Sequence, residues 1–195
     1  MIETLTAVVP YILQFKYLAL FFMLFFCAAF IPVSGELVAI GTGALAATGG
    51  IDLSLAFVVG LSANILGDVS GYSFMRFFGN RYGARFENKS KLLHSIGLYL
   101  RKRPMTTILL SRFIGFAAGQ TNFLAGLART PIRSFLIGDS LGNAVCMGVY
   151  LATGYVATRL GDSLTGAAAI IGSVLVFFAL VSFLAYLYLE MRSKE

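Results

Sequence analysis

The run over residues 30–50 is apolar enough for a bilayer and too interrupted to cross one as a regular helix. Pro32, Gly35, Gly41, Gly43, Gly49 and Gly50 punctuate it, and Glu36 lies inside it. A carboxylate at membrane depth is costly, so it faces a protein interior or a wet cavity. Irregular backbone at that depth survives only where protein or such a cavity surrounds it. The run is therefore expected to be a re-entrant hairpin built around Glu36.

Composition makes a membrane the right solvent to reason about. The chain is 58% hydrophobic and 12% charged, against about 25% charged in a soluble domain. Its 195 residues leave room for a single membrane domain of roughly four to six segments at ~20 residues each. The expected fold is all-α and integral to the membrane. The two cysteines, Cys27 and Cys146, lie in apolar runs and belong to no zinc or CxxC spacing; they read as small buried hydrophobes. His94 is the single histidine. Lipid phosphatases and phosphotransferases need a histidine or a dense acidic metal cluster, and Ser34 has no identifiable base partner for protease chemistry. No enzyme activity, metal or cofactor is expected.

Residues 1–9 read as a short surface or frayed segment, with Pro10 in the first turn of a helix, where its missing N–H is not needed. Residues 11–30 are long enough to span, with Lys16 able to snorkel to the interface. A second span covers residues 53–78. Its Asn64, Asp68, Tyr72 and Arg76 recur every four residues and so share one helical face. Gly67 and Gly71 on the same helix would let another helix approach closely. Helix packing around a hydrogen-bonded polar stripe is one account of this face; the intramembrane Asp68 favours a functional one.

Residues 79–105 form the polar section. Arg81, Arg85, Lys89, Lys91, Arg101, Lys102 and Arg103 face the single acid Glu87. This basic excess marks the cytoplasmic side and suits anionic lipid headgroups. Nucleic acid is excluded as a partner, because membrane segments flank the section. Leu92, Leu93, Ile96 and Leu100 have amphipathic helical spacing, so part of the section is expected to lie flat on the membrane. Residues 106–130 are apolar but broken at Gly115, Gly119 and Gly126, with Arg112 inside; they read as a second hairpin, entering from the cytoplasmic side. Pro131 opens a helix to about residue 158, and residues 164–189 make a last span. Placing the N-terminus inside satisfies the positive-inside rule with about four transmembrane helices at ~20 residues each, two oppositely entering re-entrant hairpins and both termini cytoplasmic. A homo-oligomer is compatible with this arrangement.

The halves echo one another. Gly43-Ala-Leu-Ala-Ala precedes one span and Gly126-Leu-Ala-Arg-Thr the other; the spans then carry Asn64 with Asp68, and Asp139 with Asn143, both at a spacing of four. Broken hairpin followed by glycine-rich polar span, entered from opposite faces, is the pattern of an inverted repeat with a binding site near the midplane.

The runs Pro32-Val-Ser-Gly-Glu36, Gly67-Asp68 with Tyr72, Arg76, Gly79 and Gly83, and Ser111-Arg112-Phe113-Ile114 followed by Ala125-Gly126 resemble the DedA family, also called VTT-domain or SNARE-associated Golgi proteins. The resemblance covers roughly residues 25–158. It implies lipid transport: flippases for undecaprenyl phosphate or phospholipids in bacteria, placed in the inner membrane, and scramblases in eukaryotes, often with proton-coupled behaviour. The family's acidic residues match Glu36 and Asp68, and its first hairpin arginine matches Arg112. Gly115 stands where the family has proline, and Ala118 where it has a second arginine.

From the residues themselves, Arg112 suits a phosphate held by two parallel hydrogen bonds. Glu36 and Asp68 are candidates for proton exchange. Tyr72, Arg76, Gln120 and Asn122 are expected near the same lipid path, with Pro32, Gly35, Gly67, Gly71, Gly115 and Gly126 shaping the hairpins and their packing. A structural Glu36–Arg112 ion pair is the plain alternative at the hairpin tips. The alternative function is a small proton- or cation-coupled exchanger or channel.

Overall fold

The computed structural model of the protein describes residues 2–29, 35–79, 91–114, 117–160 and 172. Among these the regular structure is helical: α1 (Ile2–Ala29), α2 (Gly35–Ala47), α3 (Leu53–Phe78), α4 (Lys91–Lys102), α5 (Pro104–Ser111), α6 (Ala117–Leu127) and α7 (Ile132–Leu160). Helices α3 and α7 are long and apolar enough to cross a membrane; Phe15–Ala29 of α1 and all of α2 are shorter apolar helices. With so few charges in the chain, this is an integral membrane protein.

Local chemistry sets the helix ends. Asp52 caps α3, its side chain accepting from the Leu55 N–H at 2.8 Å, which satisfies one of the free donors of the first turn. Pro104 opens α5 and Pro131 immediately precedes α7, the positions where a proline costs no hydrogen bond. The chain leaves α2 through Gly49 at φ +79, a conformation that glycine adopts without strain.

The first hairpin differs from the expected one. Gly41 and Gly43 do not interrupt α2, which runs unbroken for 13 residues. That is about 20 Å at ~1.5 Å per residue, short of a hydrocarbon core of ~30 Å. Its antiparallel companion is the C-terminal half of α1. Gly35 lies beside Leu24 and Cys27, while at the other end Lys16 donates to the Gly50 carbonyl at 3.0 Å and the Tyr17 hydroxyl accepts from the Asp52 N–H at 3.0 Å. Helix α1 also begins at Ile2 and runs through Pro10, where a surface segment was expected; a proline inside an apolar helix is tolerated when its surroundings satisfy the freed carbonyl. The second broken run resolves into α5, of 8 residues, and α6, of 11. Both are again too short to cross. Pro32, Gly115, residues 80–90 and, apart from residue 172, the expected span over 164–189 lie outside the described residues.

The short helices pack crosswise. Helix α2, from the first half of the chain, lies chiefly on α7; α6, from the second half, lies on α3. Glycine lets the backbones touch. A Cβ on Gly43 would stand 2.0 Å from the Leu151 carbonyl oxygen, and one on Gly126 would stand 2.1 Å from that of Tyr72. Gly67 faces Phe25, Ala28 and Ala29 of α1, and Gly71 faces Phe123 of α6, so the small face of α3 does receive other helices. Helix α4 is tied to the bundle through Leu100, which is buried with Tyr72, Ile108, Leu124, Ala125 and Phe135. A larger apolar cluster gathers Leu20, Leu24, Ile40, Ala63, Met147 and Leu151. Asp68 lies between the α3 members of these two clusters, and Asp139 and Asn143 lie between their α7 members. A polar layer therefore separates two apolar ones.

Candidate functional site

Arg112 ends α5 and is 7% exposed, with Asp68 at 3% and Asp139 at 0%. Its Nη1 donates to Asp68 Oδ2 at 2.9 Å. Its Nη2 donates to Asn122 Oδ1 and pairs with Asp139 Oδ1. Asn122 Nδ2 donates to Asp68 Oδ1 at 2.6 Å. Asn143 Nδ2 donates to Asp68 Oδ2 at 2.8 Å and to Asp139 Oδ1 at 3.1 Å. Five side chains from α3, the α5 terminus, α6 and α7 thus close one network. Buried charges persist only when paired and hydrogen-bonded in this way. The remaining capacity is specific: among the described residues, Arg112 Nε and Asp139 Oδ2 have no hydrogen-bond partner.

Glycine again permits the geometry. A Cβ on Gly142 would meet Arg112 Cγ at 2.5 Å, and one on Gly138 would meet the Met105 carbonyl oxygen at 2.6 Å. Helix α5 therefore lies directly against α7, and the Arg112 stem crosses α7 at the only kind of residue that leaves it room. One turn further along α7, the Cys146 thiol lies 3.6 Å from the Arg112 carbonyl oxygen.

The structure brings together three of the residues singled out from sequence: Asp68, Arg112 and Asn122. Glu36 is elsewhere. It is half-buried in the first turn of α2, where the helix dipole favours an acid. It makes no ion pair with Arg112, whose salt bridges go to Asp68 and Asp139. Cys146 lies in one apolar cluster with Ala39 and Ile40 of α2 and its thiol is 3.6 Å from the Arg112 carbonyl oxygen, so α2 and the end of α5 approach the same part of α7. Tyr72 and Arg76 continue the polar stripe of α3 away from the network: the Tyr72 hydroxyl donates to the Thr130 carbonyl at 2.6 Å, and Arg76 Nη1 reaches the same carbonyl at 3.1 Å. They fasten the turn after α6, where Arg129 is held at φ 53. Gln120 is half-buried on α6, outside the network. Gly35 has only ordinary contacts, the nearest at 3.7 Å.

Asp139 and Asn143 were not among the expected site residues. Their signal was the spacing of four that repeats the Asn64–Asp68 pair. Among the described residues, no group of three or more His, Cys, Asp and Glu could hold a metal ion.

A helical membrane protein with short paired helices around a buried arginine–carboxylate network is the class that this geometry defines. A family model described as the VTT domain matches residues 30–156, and the chain belongs to that family, known also as DedA. An uncharacterized membrane protein of Buchnera aphidicola subsp. Acyrthosiphon pisum is 31% identical over 103 residues, covering 52% of this chain and 40% of the relative. Another, from subsp. Baizongia pistaciae, is 28% identical over 116 residues, covering 57% of this chain and 44% of the relative. The chain thus spans less than half the length of these bacterial relatives. No solved structure matches it.

Proposed function

We propose that the protein is a membrane lipid transporter, not an enzyme, that moves a phosphate-bearing lipid such as undecaprenyl phosphate or a phospholipid across the bilayer, with protons exchanged at its carboxylates. Membership of the VTT-domain family supports lipid transport in general. The observation that carries the reading for this chain is Arg112: a guanidinium 7% exposed, at the turn between two helices too short to cross, surrounded by groups that can trade places with an anion. Asp68 in the network and Glu36 in the first turn of α2 are the proton carriers of this scheme. In its membrane frame, the protein has about four crossing helices of ~20 residues or more, oppositely entering hairpins and both termini in the cytoplasm of a bacterial inner membrane. The basic section over residues 79–105 rests on anionic headgroups.

The test is a headgroup-access assay in proteoliposomes, run in parallel with undecaprenyl phosphate and with common phospholipids. Transport that disappears in Arg112→Ala supports the reading; full transport in that variant removes it. Cysteine accessibility tests the frame: Asp52 and Arg85 belong on opposite sides, and finding them on the same side overturns it. A second reading, a proton- or cation-coupled exchanger, is favoured by the charge balance of the network, where Asp68 and Asp139 face the single cation Arg112. Flux of radiolabelled cation without lipid movement would select it.

A further inference from the structure

The transport scheme leaves one charged member of the network unused. Arg112 can grip an oxyanion by two parallel hydrogen bonds, and its planar fork offers two edges for this. One edge joins Nη1 to Nη2. The other joins Nε to Nη2, whose N–H bonds run side by side. Nη1 is held by Asp68. Nη2 is held by Asp139 and Asn122. Nε has no partner among the described residues. Nη2 thus carries the ion pair with Asp139 while Nε beside it keeps an unpartnered N–H among the described residues.

The two carboxylates are not held alike. Asp68 accepts from Arg112, Asn122 and Asn143 and uses both of its oxygens. Asp139 receives Arg112 and Asn143 on Oδ1 alone, while Oδ2, fully buried, has no partner among the described residues. Removing Asp68 from Arg112 would dismantle the whole network. Removing Asp139 breaks one ion pair and leaves Asp68 to balance the guanidinium. A proton arriving on Oδ2, the oxygen without a donor, would cancel the charge that keeps Asp139 on Arg112.

We propose that Asp139 is a built-in competitor for the anion site: it pairs with Nη2 of Arg112 beside the unpartnered Nε, gives way to the oxygen pair of a phosphate group that takes Nε and Nη2 together, and thereby sets how tightly that phosphate is held. This rests on Arg112 being the phosphate anchor. The competitor fills the anion position between ligands, and it lowers affinity so that the ligand leaves.

The test is calorimetric titration of the full chain in detergent with dioctanoyl phosphatidic acid and, separately, with inorganic phosphate. Folding of each variant is checked by thermal unfolding. Asp139→Asn and Asp139→Ser are expected to bind phosphatidic acid on the order of tenfold more tightly than the parent, as when about 1.4 kcal/mol of competition is lost, and Arg112→Ala is expected to lose binding. Tightening seen with inorganic phosphate alone supports the same displacement with free phosphate, not a lipid headgroup, as the ligand. Unchanged or weaker binding in a folded Asp139 variant, with Arg112→Ala still defective, overturns the role of Asp139 and leaves the anchor standing. Binding that survives Arg112→Ala overturns the anchor as well. If neither Asp139 variant yields folded protein, Asp139 is a structural ion and the competitor role is lost.

Discussion

Helices α2 and α6 are fastened alike and equipped differently. Each is too short to cross, and each lies on the long helix of the other half through a glycine pressed against a carbonyl, Gly43 on Leu151 and Gly126 on Tyr72. Their polar cargo diverges. Asn122 of α6 is 1% exposed and bound into the network on both sides of its amide, whereas Glu36 of α2 has no hydrogen bond or ion pair with another described residue. The shared fastening sets each short helix on the long helix of the other half. The difference separates an amide fixed within the network from a carboxylate that lies outside it. Backbone contact sets position here, and the side chain sets chemistry.

The comparison is broken most severely at the fastenings. Gly43→Val and Gly126→Val each force a branched side chain where a Cβ would already sit 2.0 or 2.1 Å from an oxygen. Both are expected to lose more than ~3 kcal/mol, beyond the usual cost of overpacking, and to yield little folded monomer on size-exclusion chromatography. Gly41→Ala is the control on the same helix. Nothing lies within 4 Å of its Cβ position, and helix propensity predicts a gain of up to ~1 kcal/mol. Next comes Arg112→Ala, which leaves Asp68 and Asp139 facing one another unneutralised; a loss of about 3–5 kcal/mol is expected from breaking a buried pair, measured as thermal unfolding in detergent. Arg112→Lys retains the charge without the planar fork and is expected to bind phosphate nearly as poorly as the alanine variant. Tyr72→Phe removes one hydrogen bond to the Thr130 carbonyl and should cost about 1 kcal/mol. Glu36→Gln is the mildest for stability, within ~0.5 kcal/mol, yet it should abolish proton-linked transport. A large stability loss in Glu36→Gln would mean that α2 and α6 are equipped alike after all.

Much of this was legible in the residues. The apolar run with Asp52 before it and Gly79 after it marks α3 from end to end; in the run around Arg112 a division into two short helices is present, but Gly119 and Gly126, read as interruptions, lie within an unbroken α6. The four-residue period placed Asp68 on the helix face that receives Asn122. What pattern could not supply was pairing across the bundle. Asp139 lies 27 positions beyond Arg112 in the chain, and they meet because Gly138 and Gly142 let α5 settle onto α7. The spacing shared by Asn64–Asp68 and Asp139–Asn143 hinted at a role but named no partner. Tyr72 and Arg76 share the Asp68 face by period, but one and two turns of rise carry them to the Thr130 carbonyl instead. Gly41 and Gly43 looked like helix breaks because glycine often is one; at Gly43 the missing side chain serves contact with Leu151 and the helix continues.

The crosswise packing has a consequence for biogenesis. The surface on which α2 rests belongs to α7, which a ribosome makes about a hundred residues later; at roughly 5–20 residues per second α2 waits on the order of ten seconds for its partner. Until then its glycine face is open to lipid, to insertion machinery or to another nascent chain. Helix α6 has no such wait, because α3 precedes it. Chains stopped after residue 131 should accordingly protect α6 from protease while leaving α2 open to it, and α2 should become resistant only once synthesis passes Leu151.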